Sequence, residues 1–379
     1  MSHMKKKKKM LLLYISEDSG HHCASVSIEK ALRDIDPDVE TLNINSFNYT
    51  NPILEKIINR TYMSVVKRAP EIWDYLYDNP KVVRNTQQLR EMIHRFNKGK
   101  LTTLLEEFKP DCIICTQAFP CGMIADYKET FKLDTPLVGV LTDYAPHSYW
   151  IYDNVDRYIV PVEETGRKLV DNGVEPKKIM AYGIPIDPKF GEKLDNDRIF
   201  AKLSLDPKVP CILIMGGTQG LGPIKELVRL LDRSHLDLQM IIAAGVNKRL
   251  YRHLSRFARH ARKKTLVLPF ADNIDELMQI STVVVTKPGG ITTAEALTKA
   301  IPMLIIHPLP GQEAMNTRYL LDAGVAVKAE NPADAIIILA ELLHYNREKL
   351  HVMKDKARAL SRPDSAVKAA QLAMELARK

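Results

Sequence analysis

Short runs rich in aliphatic and β-branched residues alternate with helical segments along the whole chain, and this alternation constrains the fold more than any other feature. Ten such runs have the length and composition of strands: Met10–Ile15, Val39–Ile44, Cys112–Thr116, Leu137–Thr142, Tyr158–Val160, Cys211–Met215, Leu238–Ala243, Thr265–Leu268, Val283–Thr286 and Pro302–Ile306. Strands that lead repeatedly through a turn into a helix are typical of a parallel sheet with helices on both faces. We therefore predict an α/β fold with two Rossmann-like, doubly wound parallel sheets that face each other across a cleft.

The length of the chain predicts two domains. Its 379 residues exceed what one ordinary core holds, and 45% hydrophobic with 26% charged residues is a globular composition. The Pro- and Gly-punctuated stretch Gly183–Pro188 is the predicted linker. We expect a first domain at 5–185, a second domain at 186–365, and a C-terminal helix at 366–379, for which packing back on the first domain is one option.

A long, mostly helical insert is predicted within the first domain, at about 52–108. It mixes apolar and aromatic residues with more Lys and Arg than acids. Two interpretations stay open: a buried helical hairpin, or an amphipathic element that faces a membrane or an acceptor.

Basic residues are concentrated in two segments of a chain whose net charge is +8. Lys5–Lys9 is an unbroken lysine run, and Lys248–Lys264 holds eight Lys or Arg and no acid at helical spacing. The second segment is either a solvated helix face or a surface for an anionic membrane. Because no nucleic-acid-binding motif accompanies either segment, we expect a membrane and no nucleic acid as the partner. No run approaches the roughly 20 apolar residues of a membrane span, so a peripheral protein on the cytoplasmic face of the membrane is expected.

The cysteines do not predict a metal or redox site. Cys112 and Cys115 have the spacing of a CxxC pair, but they lie in a predicted strand, where this spacing directs them to opposite faces. We expect them to be buried, reduced thiols.

A glycine–histidine turn follows the first predicted strand. Ser19-Gly20-His21-His22 precedes a predicted helix, and a glycine at such a turn permits close approach of the backbone to a ligand. The near-neutral pKa of histidine suits it to remove a proton from an acceptor hydroxyl. Simple capping or packing by the two histidines is the alternative interpretation.

Two glycine-rich turns in the second half are candidates for phosphate binding. Gly216–Gly222 follows a strand and precedes a helix, but it matches neither the dinucleotide fingerprint nor the P-loop, so neither NAD nor ATP is predicted. In the second turn, Lys287–Leu297, a helix start offers N–H groups to a diphosphate, and Glu295 is placed to accept hydrogen bonds from ribose hydroxyls. Thr292 and Glu295 also have the spacing of a capping box, which is a purely structural interpretation. No Asp-x-Asp pair lies in a loop suited to Mg²⁺, so we expect neither a metal nor a cofactor.

Two further polar clusters follow predicted strands. Gln312, Glu313 and Asn316 lie at a strand end, where they are placed either to bind sugar hydroxyls or to cap a helix start. The stretch Thr142–Trp150 combines Asp143, as a helper of His22 or a base in its own right, with three acceptor-side candidates. These candidates for flanking an apolar acceptor chain are His147, Tyr149 and Trp150.

Together these segments resemble glycosyltransferase family 28, in the branch of the monogalactosyldiacylglycerol synthases and processive diacylglycerol glucosyltransferases. The motifs stand in the family's order from about residue 10 to 325: the glycine–histidine turn, TDYxxHSYW, YGIPIDPKF, GGxxGxGP, TKPGGxTxAEAL and PGQExxN. The resemblance implies a GT-B fold whose C-terminal domain holds a UDP-sugar. It also implies a diacylglycerol acceptor that the N-terminal domain meets at the membrane, and inversion at the anomeric carbon without a metal.

The resemblance assigns roles to matching positions of this chain. The spacing to Ala24 and Ser25 favours His22 over His21 as the catalytic histidine. The donor-binding residues that it implies are Gly217 and Gly220 for the diphosphate, Phe270 for the uracil, Gly290, Thr292 and Glu295 for phosphate and ribose, and Gln312, Glu313 and Asn316 for the sugar.

The expected activity is therefore transfer of a hexose from a UDP-sugar to diacylglycerol, with glucose favoured over galactose. A UDP-sugar epimerase or hydrolase of the same fold, a non-catalytic sugar-nucleotide sensor, and a transferase to a polyprenyl acceptor are the alternatives.

Overall fold

The computed structural model describes residues 7–50, 99–146 and 148–378, and the structural statements below refer to these ranges. They divide into two compact units. The first ends at Pro188 and also takes in the segment that begins at Asp364, and the second spans Lys189–Pro363. Most of the predicted insert at 52–108 lies outside the described residues, and its last part, 99–108, is helical.

The first unit is built on a six-stranded parallel sheet with the order β2-β1-β3-β4-β5-β6. Its strands are β1 (Lys9–Tyr14), β2 (Glu40–Asn45), β3 (Cys112–Cys115), β4 (Leu137–Val140), β5 (Arg157–Ile159) and β6 (Ile179–Met180). The five strands predicted for this half are confirmed. Strand β6 was not predicted, because two half-buried residues give no periodic pattern.

Helices cover both faces of this sheet. The α-helices of the first unit are Gly20–Ile35, Ser46–Thr50, 99–108, Ala118–Phe131, Glu163–Asp171 and Ser365–Leu376, with 3-10 turns at Ser148–Trp150 and Pro176–Lys178. Residues of β1 alternate between two cores: Leu11 and Leu13 enter one, whereas Met10 and Leu12 enter the other. Helix Ser365–Leu376 belongs to the second of these cores and packs on helix Gly20–Ile35.

The two strand cysteines confirm the predicted geometry. Cys112 and Cys115 are buried in different cores, on opposite faces of β3. Burial raises the pKa of the Cys112 thiol to about 12 and that of Cys115 well above its ordinary value, so both stay protonated at neutral pH.

The second unit repeats the plan with a six-stranded parallel sheet in the order β12-β11-β10-β7-β8-β9. Its strands are β7 (Cys211–Met215), β8 (Gln239–Ala243), β9 (Thr265–Leu268), β10 (Val283–Thr286), β11 (Met303–Ile306) and β12 (Ala326–Ala329). Its α-helices are Asn196–Leu203, Ile224–Arg233, Lys248–Ala258, Ile274–Ile280, Gly290–Thr298, Gln312–Asp322, Pro332–Ala340 and Arg347–Leu360, with a 3-10 turn at Pro188–Gly191 and a π turn at Glu341–Tyr345. The five predicted strands of this half are confirmed, and β12 is an addition.

The order of the strands places a topological switch point in each sheet. In the first sheet the chain moves outward from β1 to β2 and then returns to the other side of β1 as β3. In the second it moves from β7 to β9 and returns beside β7 as β10. Ligands of doubly wound sheets bind outside the carboxyl ends of the strands at such points. The loops after β1, β3, β7 and β10 are therefore where a site is expected.

None of the described helices combines the length and the apolar content that crossing a bilayer requires.

Candidate functional site

His21 lies at the switch point of the first sheet and joins three strand ends. It is the second residue of helix Gly20–Ile35, which starts directly after the β1 loop. Its Nδ1 is 2.8 Å from the carbonyl oxygen of Thr116, after β3, and 2.9 Å from Oγ1 of Thr142, after β4. Thr116 in turn donates from Oγ1 to the carbonyl oxygen of His21 at 2.8 Å. The imidazole is thus held by the ends of neighbouring strands.

The contacts of His21 determine where its lone pair lies. A carbonyl oxygen only accepts hydrogen bonds, so Nδ1 carries the hydrogen that points to Thr116. In the neutral ring the lone pair is then on Nε2, and none of the described residues bonds to that nitrogen. An imidazole fixed in this tautomer is prepared to accept a proton at Nε2.

Burial and the charge of Asp143 shift the pKa of His21 in opposite directions. Burial lowers the pKa of its imidazole, while the negative charge of Asp143 and the bond to Thr116 partly oppose that shift. The net effect lowers the pKa below its ordinary value. The ring is therefore neutral at physiological pH, the state in which it can act as a base.

His22 has a different, local environment. Its Nδ1 is 2.8 Å from the carbonyl oxygen of Glu17, its Nε2 is 3.7 Å from the carboxylate of the same residue, and its ring stacks on Tyr14 at 4.3 Å. The Tyr14 hydroxyl donates to the Glu17 carboxylate at 2.6 Å. These partners belong to β1 and its own loop, so His22 supports the loop that carries the turn. Spacing alone favoured His22 as the base, whereas the geometry favours His21.

Thr116 and Thr142 were not among the predicted site residues. Both are buried: Thr116 follows directly after β3, and Thr142 lies two residues after β4. The signal that identifies both is their position at a strand end, and Thr142 is also the first residue of the TDYxxHSYW motif. Asp143, which was predicted, lies next to Thr142 and acts electrostatically on His21.

The three acceptor-side candidates have different placements. His147 lies outside the described residues. Tyr149 is half-buried against the core of the first unit, and Trp150 is only 4% exposed within that core. A ring that is buried in this way stabilises the loop, so the placement of Trp150 lends no support to a contact with an acceptor chain.

The glycine loop after β7 is a closed turn at the switch point of the second sheet. Leu221 donates from its backbone N–H to the carbonyl of Gly216 at 2.9 Å, and Gly220 donates to Gly217 at 3.0 Å. Gly220 has a φ of +57°, and a Cβ on it would lie 2.5 Å from the carbonyl oxygen of Ala244. No other residue fits this position, since the conformation and the contact both exclude a side chain.

The second glycine turn leads into a helix that starts earlier than the capping-box spacing of Thr292 and Glu295 indicates. Helix Gly290–Thr298 is preceded by Gly289 as its N-cap, because the N–H of Thr293 donates to the Gly289 carbonyl at 2.9 Å. Thr292 and Glu295 therefore lie inside the helix, in its first and second turns, and the capping-box interpretation of this pair is wrong. No described side chain caps this start, so its first N–H groups remain available to an anion.

The polar cluster that follows β11 combines an ion pair with two hydrogen bonds between side chain and backbone. Lys287 donates from Nζ to Oε1 of Glu313 at 2.7 Å, and the other carboxylate oxygen accepts the N–H of Leu309 at 2.6 Å. The buried Asn316 donates to the carbonyl of Pro288 at 3.0 Å. Gln312 is half-buried at the first position of its helix. The cluster thus ties the loop after β10 to the loop after β11, and Lys287 is a participant that we had not predicted.

Phe270 lies at the rim of a groove on the second unit. The groove, of about 470 Å³, follows β9 and is lined by Lys189, Leu268, Pro269, Phe270, Ala271, Asp272, Asn273, Asp275 and Glu276. The Phe270 ring is 56% exposed. This placement is compatible with the base-binding role implied by the resemblance, which stays a prediction.

Two doubly wound parallel sheets, each with glycine turns and polar side chains at its switch point, define the architecture of the GT-B transferases.

Among the described residues, no group of three or more His, Cys, Asp or Glu side chains lies close enough together to hold a metal ion.

Comparisons with known proteins identify the family. Residues 21–186 match the model of monogalactosyldiacylglycerol (MGDG) synthase, and residues 211–372 match the glycosyltransferase family 28 C-terminal domain. A processive diacylglycerol beta-glucosyltransferase of Bacillus thuringiensis (strain Al Hakam) is 30% identical over 365 residues, which cover 96% of this chain and 92% of that protein. The chain belongs to glycosyltransferase family 28, in the branch that these relatives represent, and is a glycosyltransferase.

Solved structures agree on the fold. The crystal structure of Acinetobacter baumannii MurG has a TM-score of 0.61 at 15% identity and covers 97% of this chain and 99% of that one. The UDP-GlcNAc 2-epimerase of Neisseria meningitidis, bound to UDP-GlcNAc, has a TM-score of 0.61 at 13% identity and covers 97% of this chain and 98% of that one. At these identities the likeness concerns the fold alone, and it confirms the predicted GT-B architecture.

Proposed function

We propose that this chain transfers a hexose, with glucose favoured over galactose, from a UDP-sugar to diacylglycerol, and that it inverts the anomeric carbon without a metal. The observation that carries the proposal is the His21 imidazole, which three strand ends hold in the tautomer that leaves Nε2 free to take a proton. The glucosyl group and the diacylglycerol acceptor come from the relatives, which are named processive diacylglycerol beta-glucosyltransferases and match this chain over more than nine tenths of their length. The UDP donor comes from the family resemblance.

In the proposed reaction the acceptor hydroxyl oxygen attacks the anomeric carbon of the donor sugar. The bond from that carbon to the diphosphate oxygen breaks, and UDP leaves with the bonding pair. The hydroxyl proton passes to Nε2 of His21, and the resulting imidazolium is favoured by the nearby charge of Asp143.

The leaving diphosphate needs stabilisation, and the second unit offers suitable groups for it. The uncapped start of helix Gly290–Thr298 presents N–H groups at the positive end of the helix dipole. The turn that contains Gly217 and Gly220 permits close approach of its backbone. We assign the diphosphate to these two turns, the ribose to Glu295, the uracil to the groove beside Phe270, and the sugar to Gln312 and Asn316.

The proposed base predicts how activity depends on pH. Protonation of His21 removes the base, so kcat/KM falls on the acid side, and since burial lowers the pKa of His21, the midpoint of that fall lies below the ordinary value of about 6.5. Replacing Asp143 by asparagine removes a charge that raises this pKa, so the midpoint moves to still lower pH. The measurement is kcat/KM against pH for the wild type and Asp143→Asn. A midpoint that stays in place or rises in the variant contradicts the assignment.

Glu295→Ala is expected to weaken UDP binding about tenfold, the effect of losing roughly one charge-assisted hydrogen bond. Because Glu295 lies in the second turn of its helix rather than in a capping box, the melting temperature should change little. Calorimetric titration with UDP and thermal unfolding of the same samples give the two quantities. Thr292→Ala, three residues earlier in the helix, is the companion variant. Unchanged UDP affinity together with a lowered melting temperature would assign Glu295 a structural role only.

One assay tests the proposed function as a whole. The protein is offered UDP-glucose and UDP-galactose with diacylglycerol in uncharged detergent micelles, and the lipid product and the configuration of its anomeric carbon are identified. We expect a β-linked glucosyl lipid and no requirement for added divalent metal. Turnover of UDP-sugar without lipid would indicate an epimerase or hydrolase, and binding of UDP without any turnover would indicate a sensor. Transfer to a polyprenyl phosphate but not to diacylglycerol would identify the other acceptor class.

A further inference from the structure

Two adjacent helices of the second unit carry a group of exposed basic side chains. The helices Ile224–Arg233 and Lys248–Ala258 follow β7 and β8, and both contribute apolar side chains to the core on one face of the sheet. On the second helix the inward residues are Leu250, Leu254 and Phe257. We use the name cationic face for the exposed residues Lys225, Arg229, Arg249, Arg252, Arg256 and Arg259.

On each of the two helices, the basic residues of the cationic face lie along one side. Arg249, Arg252, Arg256 and Arg259 recur at three- and four-residue intervals, which places them along one side of the helix, away from the buried leucines. On the neighbouring helix, Lys225 and Arg229 are four residues apart and share one side in the same way.

His253 connects the two helices. Its Nε2 lies 3.4 Å from Nη2 of Arg229. Burial, together with the charges of Lys225, Arg229 and Arg256, lowers the pKa of His253 below its ordinary value. Positive charge from both helices therefore converges at this point.

No described carboxylate pairs with any member of the cationic face, although other cations of this unit are paired. Lys328, Lys349 and Arg358, for example, have carboxylate partners at 2.8, 3.0 and 2.7 Å. The nearby buried Asp232 accepts hydrogen bonds from the backbone N–H groups of Arg262 and Lys263. Glu226 is the exposed acid on helix Ile224–Arg233. Six like charges on two neighbouring helices, with no carboxylate partner in the part of the chain that the structure describes, favour an external anion.

The aromatic residues of this region distinguish between the possible polyanions. Tyr251 and Phe257 are half-buried and pack against the core, so they are not presented for stacking with nucleobases, as proteins that bind single-stranded nucleic acid require. A row of exposed guanidinium groups without exposed rings suits the phosphate headgroups of a bilayer.

We infer that the cationic face is the surface through which this protein docks on anionic phospholipid headgroups. The choice of a bilayer as the partner rests on the proposed function, because a diacylglycerol acceptor resides in a membrane. Docking through the second unit brings the protein to the bilayer that holds the acceptor.

The test is co-sedimentation with vesicles of phosphatidylcholine, with and without phosphatidylglycerol, at several salt concentrations. The wild type should bind the anionic vesicles, and its binding should fall with salt. In the variant R229Q/R252Q/R256Q, binding to anionic vesicles should drop on the order of a hundredfold, since each basic residue near such a surface contributes about fivefold. The matched control K328Q/K349Q/R358Q removes three cations that are paired in the fold, and should bind nearly as the wild type does.

Two further measurements separate this inference from the proposed function. Transfer to diacylglycerol in uncharged micelles should be the same for wild type and R229Q/R252Q/R256Q. If the wild type transfers no hexose in the micelles, the proposed function is wrong. The co-sedimentation result still decides whether the cationic face binds anionic vesicles. The inference is overturned if the wild type ignores phosphatidylglycerol, if both triple variants lose binding equally, or if a single-stranded oligonucleotide binds the face more tightly than the vesicles do.

Discussion

Replacing His21 by alanine is expected to lower kcat at least about a hundredfold, because a positioned general base typically contributes on the order of 10²–10⁴ in rate. UDP affinity should be nearly unchanged, since the residues assigned to the nucleotide belong to the second unit and His21 to the first. The measurements are turnover of UDP-glucose with diacylglycerol, followed as UDP release, and calorimetric titration with UDP.

The matched control is His22→Ala, a substitution of the same residue type one position along the helix. The His22 ring contacts Glu17 and Tyr14 of its own loop, so its loss should lower kcat by about tenfold or less through a looser turn. The two variants must therefore differ by at least about a factor of ten. If the order is reversed, with His22→Ala the more damaging change, then spacing identified the base correctly and the strand-end contacts of His21 are structural.

Glu313→Ala is expected to lower the free energy of unfolding of the second unit by about 3 kcal/mol, the lower end of the range for breaking a buried ion pair. The Lys287 side chain is 9% exposed and that of Glu313 is 18% exposed, so the variant leaves an ammonium group largely buried without its carboxylate. The N–H of Leu309 also loses its acceptor. For a unit of this size the melting temperature should fall by roughly 6–12 °C, which thermal unfolding measures.

Two controls separate charge from hydrogen bonding at this pair. Glu313→Gln retains an oxygen for the Leu309 N–H and should lose less stability than Glu313→Ala. Combining Lys287→Met with Glu313→Leu removes both charges and should recover most of the loss, because an apolar pair carries no uncompensated buried charge. A Glu313→Ala protein that melts like the wild type but binds UDP-sugar weakly would show that the carboxylate serves the donor, as the resemblance implies.

The architecture was predictable because its signals are local. A buried parallel strand is a short apolar run that ends in a turn, and each of the ten predicted runs is a strand in the structure. Two strands were not predicted: β6, which has two residues, and β12, whose sequence Ala326–Ala329 contains a lysine and two alanines. Neither of them has an apolar run that stands out from its surroundings.

Helix starts were predicted less well, and one of them changed an interpretation. The sequence around Thr292 and Glu295 satisfies the capping-box spacing, yet the helix begins at Gly290. A glycine N-cap has no side chain to signal its presence. The correct start depends on where the loop after β10 turns, and that is decided by packing of the sheet rather than by local composition.

The two basic segments, Lys5–Lys9 and Lys248–Lys264, also look alike in sequence and differ in their tertiary contacts. Within the lysine run, Lys8 donates to the carbonyl of Met374 and Lys9 pairs with Glu40, so both ammonium groups have partners within the chain. In the segment 248–264 the exposed arginines have no carboxylate partners among the described residues. Composition treats the two segments alike, and only the positions of the neighbouring acids distinguish them.

The sequence by itself determined the two parallel sheets, the motifs at their strand ends, and hence the family. These follow from hydrophobic periodicity and turn chemistry, which act over a few residues. Which of two adjacent histidines is held at the strand ends, in the position that we propose for the base, was decided only by the tertiary structure. His21 and His22 are identical side chains on one helix, and they differ because Thr116, Thr142 and Asp143, about a hundred residues further along the chain, fold against one of them and not the other.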